Sequence, residues 1–405
     1  MNHSIIQVAV GSVISFLLWY PVQTHAGPRA TIIPKISASY EYDTNFFASE
    51  EDERPVSTYL FQPGIELGIE TPKSLLNLDF TLDLYYYNDE ESVPPDQRAV
   101  SKGDFTGYTG LLEAKHQTFD RLLLGFDGSS IKTREPAFSD PLSNAVDRDL
   151  YTITQLSPLA RYDFGPKFSV GLRYRYTEIN FDPSDREDSI GNRGILDLIY
   201  NFTPRTSLDL EYQYWTRNYD LDTSDYTANQ IKLIFRRRSK NFTLAAGAGY
   251  QNRDFDDSDL DDIEGFTYNL DLEGKALLAN RRSYIAFNID QNFNDYGPEN
   301  EYFMGTRFTL TAGHDFSKKL SGNIEAFYQI SKYEDTTGLT PSGDTKRRKD
   351  GTFIISGTID YAFARWLSLN GTAGFETRES NLAGFDYDNT FFIVSLDFAY
   401  SLGKR

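Results

Sequence analysis

The histidines are the first residues to consider for catalysis or metal binding, because imidazole serves both as a base and as a metal ligand. His116 is predicted in a short turn and His314 on the outward face of a strand, and neither has a second ligand at metal-binding spacing. The chain contains no cysteine, nucleophile elbow, phosphate-binding loop, dinucleotide fingerprint or HExxH helix. The sequence therefore predicts a protein that is not an enzyme and that has neither a transition-metal site nor a cofactor.

The densest acidic run of the sequence ends at Glu264 and contains Asp254, Asp256, Asp257 and Asp259. Hard divalent cations prefer clustered carboxylate oxygens, so these four aspartates are a weak candidate site for such an ion. The run lacks the glycine that an EF-hand loop requires. The alternative is a hydrated external loop, which divalent ions bridge to anionic lipopolysaccharide.

The elements that position these residues are predicted from an alternation with a period of two residues. Residues 76–86, 168–177 and 208–217 each place apolar or aromatic side chains on one parity and polar or charged ones on the other. Successive side chains of a strand point to opposite faces, so each segment has a lipid-like face and a polar face. We count about eighteen such segments, with about sixteen as the alternative, and most are long enough for a tilted transmembrane strand.

The connections between these segments alternate between short turns and longer, mostly acidic loops. Residues 164–167 and 203–205 are typical short turns, whereas residues 49–54 and 182–188 are typical acidic loops and residues 333–350 are predicted as a further long loop. Aromatic residues cluster near both ends of the segments, as expected at the two membrane interfaces, and Tyr328 is one of those near the long loops. A soluble sandwich or propeller explains the alternation alone. The combination predicts an all-β, transmembrane, antiparallel up-and-down barrel in the bacterial outer membrane, with short periplasmic turns, long extracellular loops and both termini in the periplasm.

The N-terminus predicts export from the cytoplasm. An apolar run from Ile5 to Tyr20 precedes Thr24-His25-Ala26, which fits signal-peptidase cleavage after Ala26. The alternative is an N-terminal membrane anchor, for which the run is short. We therefore expect residues 1–26 to be a cleaved signal peptide and residues 27–405 to form a single barrel domain.

The polar parity of the predicted strands carries charges of both signs, which the lipid face does not tolerate. About eighteen strands enclose enough width for a water-filled channel, unlike eight. The mixed charge argues against strong selectivity for anions or cations, and an inward Trp215 either stacks on a sugar or fills space. The predicted pore-lining residues are Asp79, Asp83, Arg161, Arg173, Arg175, Asp209, Glu211, Trp215, Arg217, Arg253, Asp271, Glu273, Lys275, Glu325 and Asp360.

The first strand runs into Tyr42-Asp43-Thr44-Asn45-Phe46, where Asp43 and Asn45 are expected to form side-chain-to-backbone turns. This tyrosine-rich strand and its motif resemble those of the putative β-barrel porin type 2 family, and the resemblance extends over about residues 32–402. Members of that family accompany gene clusters for exopolysaccharide or capsule synthesis. The resemblance implies an outer-membrane conduit for exopolysaccharide export through a hydrated, mixed-charge lumen.

Three functions remain open at this point: an exopolysaccharide export channel, a general or solute-selective diffusion porin, and a structural or surface-polysaccharide-binding barrel. A lumen free of inserted loops favours export, a loop that constricts the lumen favours the porin, and a plugged lumen favours the binding protein. The segment from Arg134 to Val146 is the best candidate to fold inward.

The expected partners follow from the predicted location. They are outer-membrane lipid and lipopolysaccharide, a polysaccharide or small-solute substrate, and a periplasmic partner of an export system. The barrel-assembly machinery is a further partner, because the outward stripe from Phe392 to Leu402 resembles the C-terminal signal that it reads. No nucleic-acid partner is expected.

Overall fold

The computed structural model describes residues 28–51, 53–93, 100–134, 149–182, 187–275, 282–295 and 301–402. Eighteen antiparallel strands run through these ranges in chain order. They are β1 (Arg29–Asp43), β2 (Val56–Glu70), β3 (Ser74–Asp89), β4 (Phe105–Thr118), β5 (Leu122–Thr133), β6 (Tyr151–Asp163), β7 (Phe168–Phe181), β8 (Ser189–Thr203), β9 (Thr206–Tyr219), β10 (Tyr226–Arg238), β11 (Phe242–Phe255), β12 (Ile263–Lys275), β13 (Ser283–Phe293), β14 (Phe303–Asp315), β15 (Leu320–Leu339), β16 (Thr345–Ala364), β17 (Leu367–Ser380) and β18 (Tyr387–Ala399).

Each strand pairs with its neighbours in sequence, and β1 also pairs with β18, so the sheet closes on itself. The predicted fold class, a closed antiparallel barrel of eighteen strands, is therefore confirmed. The predicted signal peptide lies outside the described residues and stays a prediction. No helix in the described ranges is long and apolar enough to cross a membrane.

The alternation of the sequence determines which side of the wall each residue faces. In β3, Leu78, Phe80 and Leu82 are exposed on the outer surface, whereas Asp79 and Asp83 face the lumen. An apolar outer face and fully paired backbone groups are what a hydrocarbon environment requires. The buried apolar clusters lie on the inner side of the wall, at the rim that carries the long loops. One of them includes Val100, which belongs to the connection between β3 and β4.

The prediction of a long loop between Tyr333 and Asp350 is wrong. Instead, β15 and β16 continue beyond their neighbours as a paired hairpin, with a register shift between Lys332 and Thr337. The side chain of Asn381 stabilises this extension, because it accepts a hydrogen bond from the backbone N–H of Lys349 and donates one to a backbone carbonyl of the same strand. The segment that contains Asn381 thus lies beside the hairpin and forms hydrogen bonds with some of the backbone groups at its edge.

His116 also departs from its prediction. It lies within β4 and not in a turn, because the pairing of β4 with β3 continues as far as Ser74 opposite His116. The two side chains are hydrogen-bonded, with 2.8 Å between the serine Oγ and the histidine Nδ1. The turn follows at Phe119, whose φ is +55°.

The motif at the end of β1 lies at the seam where the barrel closes. The buried carboxylate of Asp43 accepts a hydrogen bond of 3.0 Å from the Asn389 amide of β18. In turn, the Asn389 side-chain oxygen accepts from the backbone N–H of Asn45 at 3.0 Å. The Asn45 side chain donates to the carbonyl oxygens of Ser49 and Asp388 and accepts from the backbone N–H of Ser49. Asp43 thus bonds to a side chain of the closing strand, and Asn45 combines a turn with the seam.

Substituting Asn389→Ala should destabilise the barrel, because Asp43 loses its amide donor at a position that is 3% exposed. We expect a loss of about 1–3 kcal/mol, the usual cost of leaving a buried polar group unsatisfied. The measurement is the temperature at which the folded band converts to the unfolded band on a gel. The control Asn88→Ala removes an exposed asparagine at the same rim. Equal conversion temperatures for the two variants would contradict the importance of the seam.

Candidate functional site

The lumen-facing side chains can be identified strand by strand from the exposed apolar residues of the other parity. In β9, Leu210, Tyr212 and Tyr214 are exposed on the outer surface, so Glu211 and Trp215 face the lumen. The same comparison places every predicted pore-lining residue on the lumen side. They are Asp79, Asp83, Arg161, Arg173, Arg175, Asp209, Glu211, Trp215, Arg217, Arg253, Asp271, Glu273, Lys275, Glu325 and Asp360. That these residues line a conducting pore stays a prediction.

One loop at the rim of the long loops folds into the lumen. Its described residues, Asn294, Asp295, Glu301 and Tyr302, connect β13 to β14, and we call them the inward loop. The last residue of β13, Phe293, is level with residue 266 of β12. The strand β12 extends beyond this level towards the rim, as far as Ile263. The wall is therefore lower at this point, and the chain enters the barrel there.

Asp295 attaches the inward loop to strands on another part of the wall. Its carboxylate lies 2.8 Å from Arg193 Nη2 of β8 and 3.4 Å from Arg217 Nη2 of β9. The Tyr226 hydroxyl of β10 donates to the Asp295 carbonyl oxygen at 2.7 Å and contacts the carboxylate at 2.9 Å. These contacts reach across several strands, so they narrow the lumen along β8, β9 and β10.

Apolar and cation–π contacts support the same loop. The Arg253 guanidinium, which is fully buried, lies 4.2 Å from the ring centroid of Tyr226 and 4.8 Å from that of Tyr302. Its Nη2 donates to the Asn294 carbonyl oxygen at 2.8 Å. Phe293 belongs to the same buried cluster. Arginine between aromatic faces is a favourable arrangement when it is removed from water, so packing and charge hold the loop together.

The electrostatics of Asp295 are dominated by its arginine neighbours. Burial alone opposes its ionisation, but Arg193, Arg217 and Arg253 together hold the pKa of its carboxyl well below the usual value. Burial also raises the pKa of the Tyr302 hydroxyl, which therefore stays protonated. The charged anchor of the inward loop is thus insensitive to pH in the neutral range.

Beside the inward loop, the wall carries cations that have no ion-pair partner. Arg175 of β7 lies directly opposite Arg193 of β8, and Arg173 follows on the same face of β7. The side chains of Arg173, Arg175 and Lys232 make no hydrogen bond or salt bridge with any residue that the structure describes. We call these three residues the free cations. Asp197 attracts Arg173 and Asp290 attracts Lys232 without direct pairing, so the positive charge at the narrowed part of the lumen is only partly compensated.

Two buried hydrogen-bond donors line the same space. Trp215 is 4% exposed and Gln251 is 1% exposed, and neither Trp215 Nε1 nor Gln251 Nε2 has a hydrogen-bond partner in the described part of the chain. They line a cavity of about 440 Å³, whose other charged lining residues are Arg175, Arg193, Lys232, Arg307, Asp290 and Asp295. The guanidinium of Arg193 lies 4.2 Å from the Trp215 ring centroid, so one face of this ring is already covered. Both donor nitrogens belong to residues that line the cavity, but neighbouring side chains shield the nitrogens themselves from solvent.

A second recess of the lumen is lined mainly by acidic residues. A recess of about 530 Å³ between β2 and β6 is lined by Glu66, Asp79, Glu113 and Asp127. Lys35 pairs with Asp79, and Lys115 pairs with Glu113. The lumen thus carries both signs of charge, as the sequence predicts, and acidic and basic side chains lie next to each other on the wall.

The weak divalent-ion candidate is not assembled. Among the described residues, no group of three or more His, Asp or Glu side chains is close enough to hold a metal ion. The run of Asp254, Asp256, Asp257 and Asp259 instead contributes to loop structure, since the Asp257 carboxylate accepts from the backbone N–H of Asp259. His314 faces outward and is hydrogen-bonded to Ser283.

The segment that was predicted to fold inward, Arg134 to Val146, lies outside the described residues except for Arg134, whose guanidinium is 5.3 Å from the ring centroid of Phe105. Lys232 and Arg193 were missed, although their strand parity predicts an inward position. No sequence signal distinguishes Asp295 from the other loop aspartates.

A closed barrel with an apolar exterior and a charged, loop-narrowed lumen defines the class of porin-like outer-membrane β-barrels. The family model described as "Putative beta-barrel porin 2" matches residues 235–400, so the resemblance stated above is confirmed for this part of the chain. The Tyr42 to Phe46 motif lies outside the matched range. The periplasmic location of both termini stays a prediction. A search of curated proteins finds no match.

Solved outer-membrane barrels share the fold. OccAB4 from Acinetobacter baumannii has a TM-score of 0.50 and 13% identity, over 92% of this chain and 98% of that one. The outer membrane protein OpdK from Pseudomonas aeruginosa has a TM-score of 0.50 and 13% identity, over 91% and 99% of the two chains. A second structure of that protein, OccK1 (OpdK), has a TM-score of 0.51 at 13% identity, over 92% and 99%. At this identity, the likeness concerns the fold alone.

The variant Asp295→Ala should release the inward loop, because Arg193 and Arg217 lose the carboxylate that they share. A hydrogen bond to a charged group contributes about 1.5–3 kcal/mol, so amide hydrogen exchange around residues 294–303 should accelerate roughly tenfold or more. Asp259→Ala, at an exposed position of another long loop, is the control. Unchanged exchange in Asp295→Ala would refute the anchor.

The pH dependence of the same exchange is a second check. A carboxyl whose pKa is lowered on folding stabilises the fold above its unfolded pKa of about 3.9, and this contribution is lost only as the pH falls through the lowered value. The wild-type loop should therefore stay protected at about pH 4, after correction for intrinsic exchange rates.

Proposed function

We propose that this chain is a solute-selective outer-membrane channel that favours small anionic solutes. The observation that carries the proposal is the set of free cations, Arg173, Arg175 and Lys232, at the place where the inward loop narrows the lumen. A loop inside the lumen supports the solute-selective porin over a wide conduit. The proposal is thus the second of the three functions that the sequence leaves open.

The narrowing matters because charges act over short distances in salt solution. At physiological ionic strength, the screening length is about 8 Å, so a cation on the wall of a wide lumen has little influence on a solute near the axis. The inward loop brings passing solutes closer to the free cations. A cleft of one charge sign with low-dielectric walls raises the local concentration of the opposite ion.

The donors in the cavity extend this preference from charge to hydrogen bonding. Trp215 Nε1 and Gln251 Nε2 are buried and unpartnered in the described chain, and a small shift of the side chains that cover them would let an oxygen-rich solute satisfy both. A buried donor without a partner is costly, so its occupation by a ligand oxygen is favourable. The preferred solute is therefore small, anionic and rich in acceptor oxygens.

One crystal structure of Pseudomonas aeruginosa OpdK contains vanillate, which is a small aromatic carboxylate. This concerns that protein, and we use the compound here only as a convenient probe for the proposal. Vanillate carries one carboxylate and additional oxygen acceptors. It is thus suited to competition with chloride in conductance measurements.

The double variant Arg175→Gln/Lys232→Gln should shift the permeability ratio of chloride to potassium towards potassium, by roughly two- to tenfold. The measurement is the reversal potential of purified protein in a planar bilayer under a potassium chloride gradient, with and without vanillate. The control Arg175→Lys/Lys232→Arg keeps both charges and should keep the wild-type ratio. An unchanged ratio in the double variant would refute the selectivity, and a wild type without conductance would refute the channel.

Export of an acidic exopolysaccharide is a second candidate, which the family resemblance implies. One observation favours it: the short turns at the opposite rim from the inward loop are basic, whereas most long loops are acidic. An anionic polymer that approaches from the periplasm would meet favourable charge at this mouth. The exposed basic residues of the short turns include Lys73, Arg121, Lys167, Arg205, Lys240, Arg282, Lys318, Lys319 and Arg365.

A deletion strain tests this candidate. If the chain exports polysaccharide, secreted polymer should fall and periplasmic polymer should rise in the deletion strain, and the complemented strain should restore both. The variant Lys318→Gln/Lys319→Gln should restore secretion less well than wild type at equal protein levels. Unchanged secretion in the deletion strain would rule out export and leave the solute channel.

A further inference from the structure

The β15–β16 hairpin differs in charge from the other long loops. The protein has a net charge of −19, and its long loops are mostly acidic. Residues 346–349, in contrast, read Lys-Arg-Arg-Lys. They lie in the part of the hairpin that extends beyond the neighbouring strands. A concentrated positive charge on an otherwise acidic rim indicates a binding site for a specific anionic partner.

Three of the basic side chains of this hairpin face away from the barrel. Lys332 shares its strand face with Tyr328, which is 43% exposed on the outer surface. On β16, Lys349 and Arg347 lie on the same strand face as Ile355, which is exposed on the outer surface. Arg348, between them, is instead buried on the lumen side and pairs with Asp350. We call Lys332, Arg347 and Lys349 the outer basic patch.

The geometry of the patch leaves a repulsion that the described chain does not relieve. Lys332 and Lys349 are direct partners in the β15–β16 ladder. Side chains at such positions start about 4.5–5.5 Å apart, and like charges there are destabilising. Neither ammonium group makes a salt bridge or hydrogen bond with any described residue, whereas Arg347 contacts Glu334 at 3.4 Å. Glu379 on β17 faces the same side, opposite Gly351, without pairing to either lysine.

The position of the patch relative to the membrane identifies the class of anion. Tyr328 belongs to the aromatic residues expected at the interface, and Lys332 follows roughly 13 Å further along the strand at about 3.3 Å per residue. Long lysine side chains extend from such positions to the headgroup layer. Long loops of outer-membrane barrels lie outside the cell, so this layer is the outer leaflet. Its main lipid, lipopolysaccharide, carries phosphate groups on lipid A.

We propose that the outer basic patch binds a lipid A phosphate of lipopolysaccharide. Two ammonium groups on facing strands bracket one phosphate, and the anion replaces their mutual repulsion with charge-assisted hydrogen bonds. Arg347 adds a planar donor that suits phosphate oxygens. The site lies on the lipid-facing wall, so it does not depend on what passes through the lumen.

The test compares wild type with Lys332→Gln/Lys349→Gln in detergent free of lipopolysaccharide. Native mass spectrometry with added lipid A should show at least tenfold weaker binding by the variant, whereas Lys318→Gln/Lys319→Gln at the opposite rim should bind like wild type. Lipid A without phosphates should bind the wild type as weakly as phosphorylated lipid A binds the variant. Equal binding of lipid A by wild type and variant, or equal binding of phosphatidylglycerol and lipid A by the wild type, would overturn the proposal.

A measurement of thermal stability distinguishes a loss of lipid A binding from a folding defect of the variant. Without lipid A, the variant should unfold at the same temperature as wild type or higher, since the like-charge pair is gone. With lipid A, only the wild type should gain stability. A variant that gains as much as wild type would also overturn the site. Because both lysines face lipid, conductance of the variant should match wild type, which separates this site from the proposed channel.

Discussion

The hydrogen bonding of the backbone is the constraint on which the rest of the structure depends. Inside a bilayer no water is available, so every strand needs two neighbours, and only a closed sheet provides them. The pairing of β1 with β18 meets this requirement. Once the sheet is closed, one face of each strand points to lipid and the other to the lumen. The charged residues of each strand can then lie only on the face that points to the lumen. The sorting of polar and apolar residues therefore follows from closure.

The inward loop obeys a second constraint, the cost of buried charge. Arg217 and Arg253 are almost fully buried, and an arginine in such a position needs an anion or an aromatic face nearby. Asp295 and the rings of Tyr226 and Tyr302 supply both. The free cations lie next to this neutralised group without a direct ion pair to Asp295, although its charge still acts on Arg175. The same part of the wall thus contains a directly paired structural cluster and, beside it, cations that face the lumen without a direct ion pair to any described residue.

Much of the fold follows from the sequence, because strand parity is a local property. The orientation of Arg173, Glu211 or Asp360 depends only on apolar residues a few positions away. The β15–β16 hairpin was missed because its polar, threonine-containing strands lack an apolar face, and its pairing depends on Asn381 from a different loop. The position of Asp295 depends on contacts with β8, β9 and β10, which are distant in sequence. Nothing near Asp295 in the chain encodes those partners.

The seam at the motif of β1 has a consequence for how the chain folds. The hydrogen bond between Asn389 and Asp43 joins residues that are 346 positions apart, nearly the full length of the chain. Contacts of such long separation form slowly, because most of the chain must be ordered first. The seam is thus formed late, after synthesis of the last strand, and until then β1 and β18 are open edges that invite aggregation.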